Sequence, residues 1–312
     1  MTFFDVKRGA FYKVNKFSLK RQEALTGFMF VFPWVLSLLL FTAYPIVASL
    51  YFSFTDYNII QSPRWVGLEN YRTIWGHDPQ FWKSATNTGY YVLLSVPLNL
   101  IISLLLAIIL NIQTKGIDFY RTLFYLPALT PPVVATIIFV LMFSPDGGLV
   151  NAVLEFIGLP TPGWFTDPNW SKNTLVIMSL WGIGPGTLIF LGGLKGIPQS
   201  LLDAASVDGA STWQRFRHVT LPLLSPVILF NLVMGVNASF QVFTQALIIG
   251  GTTGQPVESL LMYMIYIYQN AFAYFKMGYA SALSVVLFIA ILVTTFGIFW
   301  SARYWVHYEE AN

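Results

Sequence analysis

The chain has 312 residues, of which 55% are hydrophobic and only 10% are charged, and its formal net charge is +3. Soluble proteins average about 25% charged residues, so this composition excludes an ordinary soluble fold and predicts an integral membrane protein. A charge of +3 is too small to suggest a nucleic acid as partner. The absence of cysteine excludes a disulfide framework and thiol catalysis.

The N-terminal region combines a basic segment with a long apolar one. Residues 1–24 carry six Lys or Arg side chains and are predicted to be a cytoplasmic tail that touches anionic lipid. The uncharged stretch that follows exceeds the roughly 20 residues that cross a bilayer. It also lacks the short apolar core and cleavage site of a signal peptide. We therefore place a first, retained transmembrane helix at residues 25–53 and an extracytoplasmic loop at residues 54–84.

Residues 85–303 form the predicted membrane core, and residues 304–312 form a second cytoplasmic tail. Five further uncharged runs are each long enough to span once, which gives six transmembrane helices in total; they lie at residues 84–114, 122–145, 173–194, 219–257 and 277–302. Glycines and Pro256 are expected to end the fourth of these helices near Ile249. The tyrosine-rich residues 259–275 are predicted to form a helix lying on the outer membrane surface.

The placement of Lys and Arg predicts the orientation of the chain. With a cytoplasmic N-terminus, 12 of the 17 Lys and Arg residues fall on inner segments and five on outer loops. Both termini and the polar loop at residues 196–222 are then cytoplasmic. The outer loops at residues 65–71 and 144–170 contain aromatic residues and turns. These residues either anchor the loops at the bilayer surface or dock an external protein.

The loop at residues 196–222 is the longest polar interruption in the second half of the chain. Small and apolar residues recur along it at steps of three and four, which is one stripe of a helix: Leu202, Ala205, Gly209, Trp213 and Phe216. A glycine in the middle of the stripe favours a bend. The pattern therefore predicts two short helices joined by a kink, lying at the membrane surface and offering the stripe to headgroups or to a partner protein.

The same loop resembles the EAA motif of permease subunits of binding-protein-dependent ABC importers, which reads EAA, three residues, G, nine residues, I, one residue, LP. The chain has Asp203-Ala204-Ala205, Gly209, Val219 and Leu221-Pro222 at those spacings. It departs from the motif in having Asp203 for Glu and Val219 for Ile. Residues 65–71 and residues 278–282 resemble the carbohydrate branch of this family, including the larger permease subunit of maltose importers and the multiple-sugar and glycerol-3-phosphate permeases.

The resemblance implies the type I ABC importer permease fold, in the cell membrane of a prokaryote. It also implies four kinds of partner: a second permease subunit, two cytosolic ATPase subunits, an extracytoplasmic solute-binding protein and a sugar substrate. The residues that it assigns to coupling with the ATPase are Leu202, Asp203, Ala204, Ala205, Asp208, Gly209, Trp213, Phe216, Leu221 and Pro222.

No catalytic or metal-binding pattern is present in the sequence. The three histidines are scattered, and no Gly-Lys pair exists from which to build a Walker A loop. The chain is therefore predicted to be a transport subunit without enzymatic activity, cofactor or metal, with ATP bound by a partner. The predicted spans contain no ionisable Asp, Glu, Lys or Arg, which weighs against a proton-coupled carrier but leaves sodium coupling open.

Uncharged polar residues in two spans suggest a path for a solute. Ser179, Gly182, Ile183 and Gly186 share one face of one helix, and Asn237, Phe240 and Gln241 share a face of another. These residues either pack helices together or line a path for a hydroxyl-rich solute such as a sugar. In the maltose relative the matching helices carry sugar contacts. A polyol or glycerol phosphate substrate and a stand-alone secondary carrier remain alternative functions.

Overall fold

The computed structural model describes residues 16–112 and 114–307, and the chain divides after Tyr51 into two compact units. The N-terminal tail predicted at residues 1–24 lies mostly outside the described residues. The first unit contains helix α1 (Lys16–Leu38), a π-helical turn (Leu39–Ala43) and nearly all of helix α2 (Tyr44–Phe52). Together they provide a stretch, Glu23–Phe52, that is long and apolar enough to cross a membrane.

The second unit is mostly helical. Its α-helices are α3 (Glu69–Gly76), α4 (Pro79–Leu110), α5 (Ile117–Tyr125), α6 (Pro132–Met142), α7 (Leu149–Phe156), α8 (Ser171–Ser179), α9 (Gly184–Gly196), α10 (Gln199–Val207), α11 (Thr212–Arg215), α12 (Leu221–Leu223), α13 (Ser225–Phe240), α14 (Thr244–Gly250), α15 (Tyr263–Tyr268) and α16 (Met277–Ala302). Tighter 3₁₀ turns follow α5, precede α8 and follow α8, and wider π-helical turns follow α11 and α15. Two short antiparallel strands, β1 (Thr55–Asp56) and β2 (Arg64–Trp65), form a hairpin.

Proline and glycine decide how many helices can span. Among the described residues, four helical stretches are long and apolar enough to cross a membrane without a sharp bend. Two more are bent pairs: residues 117–142 bend by 96° and residues 171–196 bend by 51°. The bends fall at Pro131-Pro132 and at Gly184-Pro185, because proline lacks the N–H that a continuous helix needs. The part of the chain that the structure describes therefore has between four and six candidate spans, and six if each bent pair is one span.

Helix α4 is the centre of the second unit and packs against α8, α9, α13 and α15. Its buried face carries small hydroxyl and amide side chains between the apolar ones: Ser84, Asn87, Thr88, Ser95 and Ser103. Small residues allow neighbouring helices to approach closely, and their polar groups bond across the helix contacts. Thr88 Oγ1 accepts the backbone N–H of Tyr263 at 2.8 Å, and Asn87 Nδ2 donates to the carbonyl oxygens of Glu258 and Leu261 at 2.8 and 3.1 Å.

The prediction of a surface helix at residues 259–275 was wrong. The segment is helical at α15, but it is among the most deeply buried parts of the chain, with Leu260, Met262 and Ile265 fully excluded from solvent. Tyr263 and Tyr266 are buried because they find partners inside the protein, as where the Tyr263 hydroxyl donates to the Leu283 carbonyl at 3.0 Å, whereas Tyr274 near the end of the segment is exposed. Tyrosine favours membrane interfaces because its ring is apolar while its hydroxyl needs a hydrogen-bond partner. A buried acceptor inside the protein supplies that partner equally well.

The carboxylate of Asp78 joins the ends of three helices. As the N-cap of α4 it accepts the Phe81 N–H at 3.0 Å, and its other oxygen accepts the hydroxyls of Tyr266, at 2.5 Å, and of Tyr279. Burial raises the pKa of the Tyr266 phenol well above its ordinary value, and the hydrogen bond to Asp78 raises it further. Both effects keep the hydroxyl protonated and able to donate.

Replacing Asp78 by alanine is expected to destabilise the second unit by about 3 kcal/mol, because one helix cap is lost and two largely buried hydroxyls lose their acceptor. Asp78→Asn keeps an acceptor oxygen and should lose less. Thermal unfolding of the detergent-purified protein measures the effect, with Asp146→Ala at an exposed position as the control. Equal unfolding temperatures for Asp78→Ala and Asp146→Ala would show that this junction contributes nothing.

The first loop of the second unit is anchored rather than extended. Asn70 Nδ2 donates to the carbonyl oxygens of Ser53 and Thr55 at 2.9 and 3.0 Å, which fixes α3 beneath the hairpin. The hairpin in turn lies against the start of α16 so closely that a Cβ on Gly278 would come within 2.0 Å of the Thr55 oxygen. Only glycine fits at position 278. This contact explains why the motif at residues 278–282 begins with glycine.

Candidate solute path and coupling loop

A cavity of about 620 Å³ lies between α4, the α8–α9 pair and the α13–α14 pair. Residues on its wall are predominantly apolar, with hydroxyl and amide groups at intervals and no charged side chain. The polar residues of the wall are Tyr91, Asn99, Ser103, Ser179, Asn231, Ser239, Gln241, Thr244 and Gln245. Such a wall offers hydrogen-bond donors and acceptors without a fixed charge, which suits an uncharged polar solute.

The cavity is adjacent to interruptions in two of the three helix walls. The first is the 3₁₀ turn Leu180–Gly182 between α8 and α9, and the second is the break at residues 241–243 between α13 and α14. A broken helix frees backbone polar groups, and within a membrane these are tolerated only where they face protein or a water-filled cavity. The two helix breaks therefore lie beside the cavity because that is where their free backbone groups can be tolerated.

Helix α4 supplies the third wall, which the sequence analysis missed. Asn99 Nδ2 donates to Ser179 Oγ at 2.9 Å and to the Ser95 carbonyl at 2.7 Å, so an α4 amide is bonded directly to a residue of the predicted path. Ser95 and Ser239 place their hydroxyl oxygens 3.2 Å apart. A signal was present in the sequence, since Ser95, Asn99 and Ser103 recur at steps of four and form one stripe on a helix.

Gly186 lies on α9 close to both other walls of the cavity. A Cβ at this position would lie 3.3 Å from Ser103 Oγ on α4 and 3.4 Å from Asn231 Oδ1 on α13. Those distances are at the short limit of van der Waals contact, so a larger side chain at position 186 would have to enter the cavity or separate the helices. The absence of a side chain here keeps the cavity open between two hydrogen-bonding groups.

The structure brings together some of the predicted path residues and separates others. Five line the cavity: Ser179, Gly182, Ile183, Gly186 and Gln241. Phe240 packs into the hydrophobic core instead, and Asn237 lines a second groove of about 710 Å³ between α13, α15 and α16. Gln241 reaches both spaces and donates to the Asn237 carbonyl at 3.1 Å. Asn237 and Phe240 both lie within α13, which ends at Phe240, yet Phe240 contacts the core while Asn237 and Gln241 line the groove, so the three residues do not share one lining face.

The loop at residues 196–222 consists of two short helices, α10 and α11, as its sequence predicts. Gly209 ends α10 with a left-handed backbone at φ 78°, its N–H bonding to the Ser206 carbonyl and the Ala210 N–H to the Ala205 carbonyl. This pair of bonds is a Schellman motif. Ser211 then begins α11 with a capping box, because its hydroxyl accepts the Gln214 N–H while the Gln214 side chain accepts the Ser211 N–H.

The exposed apolar side chains of the loop are only partly those of the predicted stripe. Trp213 is 64% exposed, whereas Leu202, Ala205 and Phe216 are half-buried. Val207, which lies outside the stripe, is 87% exposed, and the sequence analysis missed it. The remaining predicted coupling residues are Asp203, Ala204 and Asp208, which are exposed, and Leu221 and Pro222, which begin α12.

The polar and aromatic side chains of the loop make contacts within the loop itself. Asp203 accepts a hydrogen bond from Gln199 Nε2 at 3.0 Å, and the ring of Trp213 lies 5.6 Å from that of Phe216. Across residues 16–112 and 114–307, no group of three or more His, Cys, Asp and Glu side chains is placed to hold a metal ion. The exposed side chains of Val207 and Trp213 form an apolar edge on the loop, which is called the exposed edge below.

Helices long and apolar enough to cross a membrane, a mostly apolar cavity with uncharged polar groups beside broken helices, and a capped helical loop are the features expected of a membrane transport subunit. The family model described as "Binding-protein-dependent transport system inner membrane component" matches residues 99–305. The chain belongs to this family and is an inner-membrane component of a binding-protein-dependent ABC transport system.

Similar proteins agree with this membership along almost the whole chain. The chain is 43% identical over 93% of its length to the probable ABC transporter permease protein YesP of Bacillus subtilis, covering 94% of that protein. It is 33% identical over 93% of its length to the lactose transport system permease protein LacF of Rhizobium radiobacter, covering 98% of it. A chain from a bacterial alginate ABC transporter, in complex with its alginate pentasaccharide-bound periplasmic protein, superposes with a TM-score of 0.80 at 25% identity, over 92% of this chain and 96% of that one.

Proposed function

We propose that this chain forms half of a membrane pathway through which a sugar or oligosaccharide enters a prokaryotic cell. The observation that carries the proposal is the cavity of about 620 Å³ whose mostly apolar wall carries uncharged amide and hydroxyl groups at intervals. The lactose and alginate systems among the similar proteins support a carbohydrate as its cargo. Family membership favours this function over a stand-alone secondary carrier.

In this proposal the chain has six spans, with both termini and the α10–α11 loop in the cytoplasm. The excess of Lys and Arg on the inner segments supports that orientation. The partners are a second permease subunit, two cytosolic ATPase subunits that bind and hydrolyse ATP, and an extracytoplasmic binding protein that delivers the solute. The ATPases contact the loop through Trp213, Val207 and the exposed Asp203, and movement of the loop changes the access of the cavity.

Reconstitution of the complete complex in proteoliposomes tests the function. The expected result is accumulation of a sugar inside the vesicles only when ATP, the ATPase subunits and the binding protein are all present. Titrating the binding protein with mono- and oligosaccharides, polyols and glycerol phosphate identifies the cargo. Solute accumulation without any ATPase would overturn the importer function, and selective binding of glycerol phosphate would overturn the choice of sugar.

Replacing Asn99 by leucine is expected to lower the rate of uptake at saturating solute about fivefold, because the loss of one hydrogen-bonded, half-buried amide is worth about 1 kcal/mol. The control is Asn173→Leu, which removes an equally hydrogen-bonded amide outside the cavity. Uptake of radiolabelled solute into vesicles measures both variants. Asn237→Leu, in the neighbouring groove, separates the two spaces: reduced uptake in this variant alone would place the path in the groove rather than in the cavity.

A further inference from the structure

One side chain crosses between the two helices of the coupling loop. Arg215, the last residue of α11, donates from Nη1 to Ser206 Oγ on α10 at 2.8 Å and from Nη2 to Thr212 Oγ1 on its own helix at 3.3 Å. Ser206 in turn donates its hydroxyl to the Leu202 carbonyl at 2.7 Å. The hydroxyl therefore accepts from one helix and donates to the other, which uses its single donor and fixes its orientation.

The guanidinium group is held by its surroundings as well as by these bonds. Arg215 Nε is excluded from solvent and has no hydrogen-bond partner among the residues that the structure describes. The group lines a recess of about 310 Å³ whose other walls come from both helices and the turn between them: Ala205, Asp208, Gly209, Ala210, Gln214, His218 and Val219. Burying an arginine nitrogen without a hydrogen-bond partner costs free energy. The bonds made by Nη1 and Nη2 therefore hold the guanidinium group, with its buried Nε, in this position.

The helix caps of the loop do not replace this contact. The Schellman motif at Gly209 fixes the end of α10, and the capping box at Ser211 fixes the start of α11. Each cap acts within its own helix and its adjoining turn, so the angle between α10 and α11 depends on contacts that cross the turn. The bond from Arg215 to Ser206 is such a contact and spans nine residues.

We infer that Arg215 is a positioning residue that holds α10 and α11 together as one rigid body. The inference rests on the proposed coupling function of the loop. A force applied to the exposed edge at α10 reaches α12 and α13 only if the angle between the two short helices is maintained. Without the Arg215–Ser206 bond, the same force bends the turn at Gly209, and ATP is hydrolysed without moving solute.

The experiment measures solute molecules imported per ATP hydrolysed by the complete complex in proteoliposomes. Arg215→Ala and Ser206→Ala are each expected to lower this ratio at least fivefold while the ATPase subunits still copurify. The double variant should be no worse than either single variant, because both remove one interaction. Arg215→Lys should recover part of the ratio, since an ammonium group reaches one hydroxyl but not both. The control is Arg217→Ala, which removes the same charge at an exposed position two residues away.

A second measurement reports on the rigid body directly. The chain has no cysteine, so spin labels at Ser200→Cys and Arg217→Cys, both exposed, can be placed without other changes. Arg215→Ala is expected to broaden the distance distribution between them. An unchanged distribution, or a normal transport ratio in Arg215→Ala, would overturn the inference, as would a defect in Arg215→Ala that Ser206→Ala does not share. None of these results affects the proposed function, which is tested on the wild-type complex by its need for ATPases and by the solutes that its binding protein selects.

Discussion

Replacing Gly209 by proline is expected to abolish solute-stimulated ATP hydrolysis while leaving membrane insertion intact. The native φ at this position is 78°, whereas proline is restricted to about −65°. Proline also removes the N–H that bonds to the Ser206 carbonyl at 3.1 Å. The end of α10 must therefore change direction, which separates the exposed edge of the loop from α12 and α13. ATP hydrolysis by the detergent-solubilised complex, with and without loaded binding protein, measures the effect.

Asparagine at the same position is the matched control. Asparagine tolerates a left-handed backbone better than most residues, and a Cβ at position 209 meets nothing within 4 Å. Gly209→Asn should therefore keep most of the stimulation, and Gly209→Ala should fall between the two because of backbone strain alone. Full stimulation in Gly209→Pro would show that the direction of α10 does not matter for coupling.

Replacing Gly186 by leucine is expected to reduce uptake to background while the complex still assembles. The new side chain starts 3.3 Å from Ser103 Oγ and 3.4 Å from Asn231 Oδ1, and the cavity is the space available to it. A leucine there fills part of the cavity with apolar atoms next to two groups, the Ser103 hydroxyl and the Asn231 amide, that are proposed to bond a solute. Uptake of labelled solute, together with basal ATP hydrolysis as a measure of assembly, distinguishes obstruction from misfolding.

Gly192→Leu provides the comparison for Gly186→Leu on the same helix. Gly192 is exposed, and a Cβ there would meet nothing within 4 Å. This variant should transport normally, because it makes the same change to helix α9 without entering the cavity. Equal uptake in the two variants would show that the cavity around Gly186 is not on the solute path.

The coupling loop was predictable from sequence because its structure depends on local rules. A helix that ends in a left-handed residue favours glycine at that position. A helix that begins at Ser211, with Gln214 three residues later, can satisfy its first N–H groups with its own side chains. These signals occupy adjacent positions in the chain. The two short helices and the kink at Gly209 were therefore confirmed, although the exposure of Val207 was not predicted.

The cavity was only half predictable, because its walls come from distant parts of the chain. The polar stripe through Asn99 is visible in the sequence, but nothing local shows that it faces Ser179, which lies 80 residues further on. The burial of Tyr263 and its neighbours likewise depends on acceptors supplied by α4 and α16. The end of α13 at Phe240 is a third such case, since no proline or glycine marks it.

The carboxylate of Asp78 has a consequence for the order in which the protein forms during synthesis. Its two tyrosine partners lie 188 and 201 residues further along the chain, and a ribosome makes the chain from its N-terminus. Helix α4 is therefore synthesised long before the two tyrosine partners of its N-cap residue exist. The junction at Asp78 is completed only after translation has reached α16, so a chain that stops short of that helix leaves the Asp78 carboxylate without its Tyr279 partner.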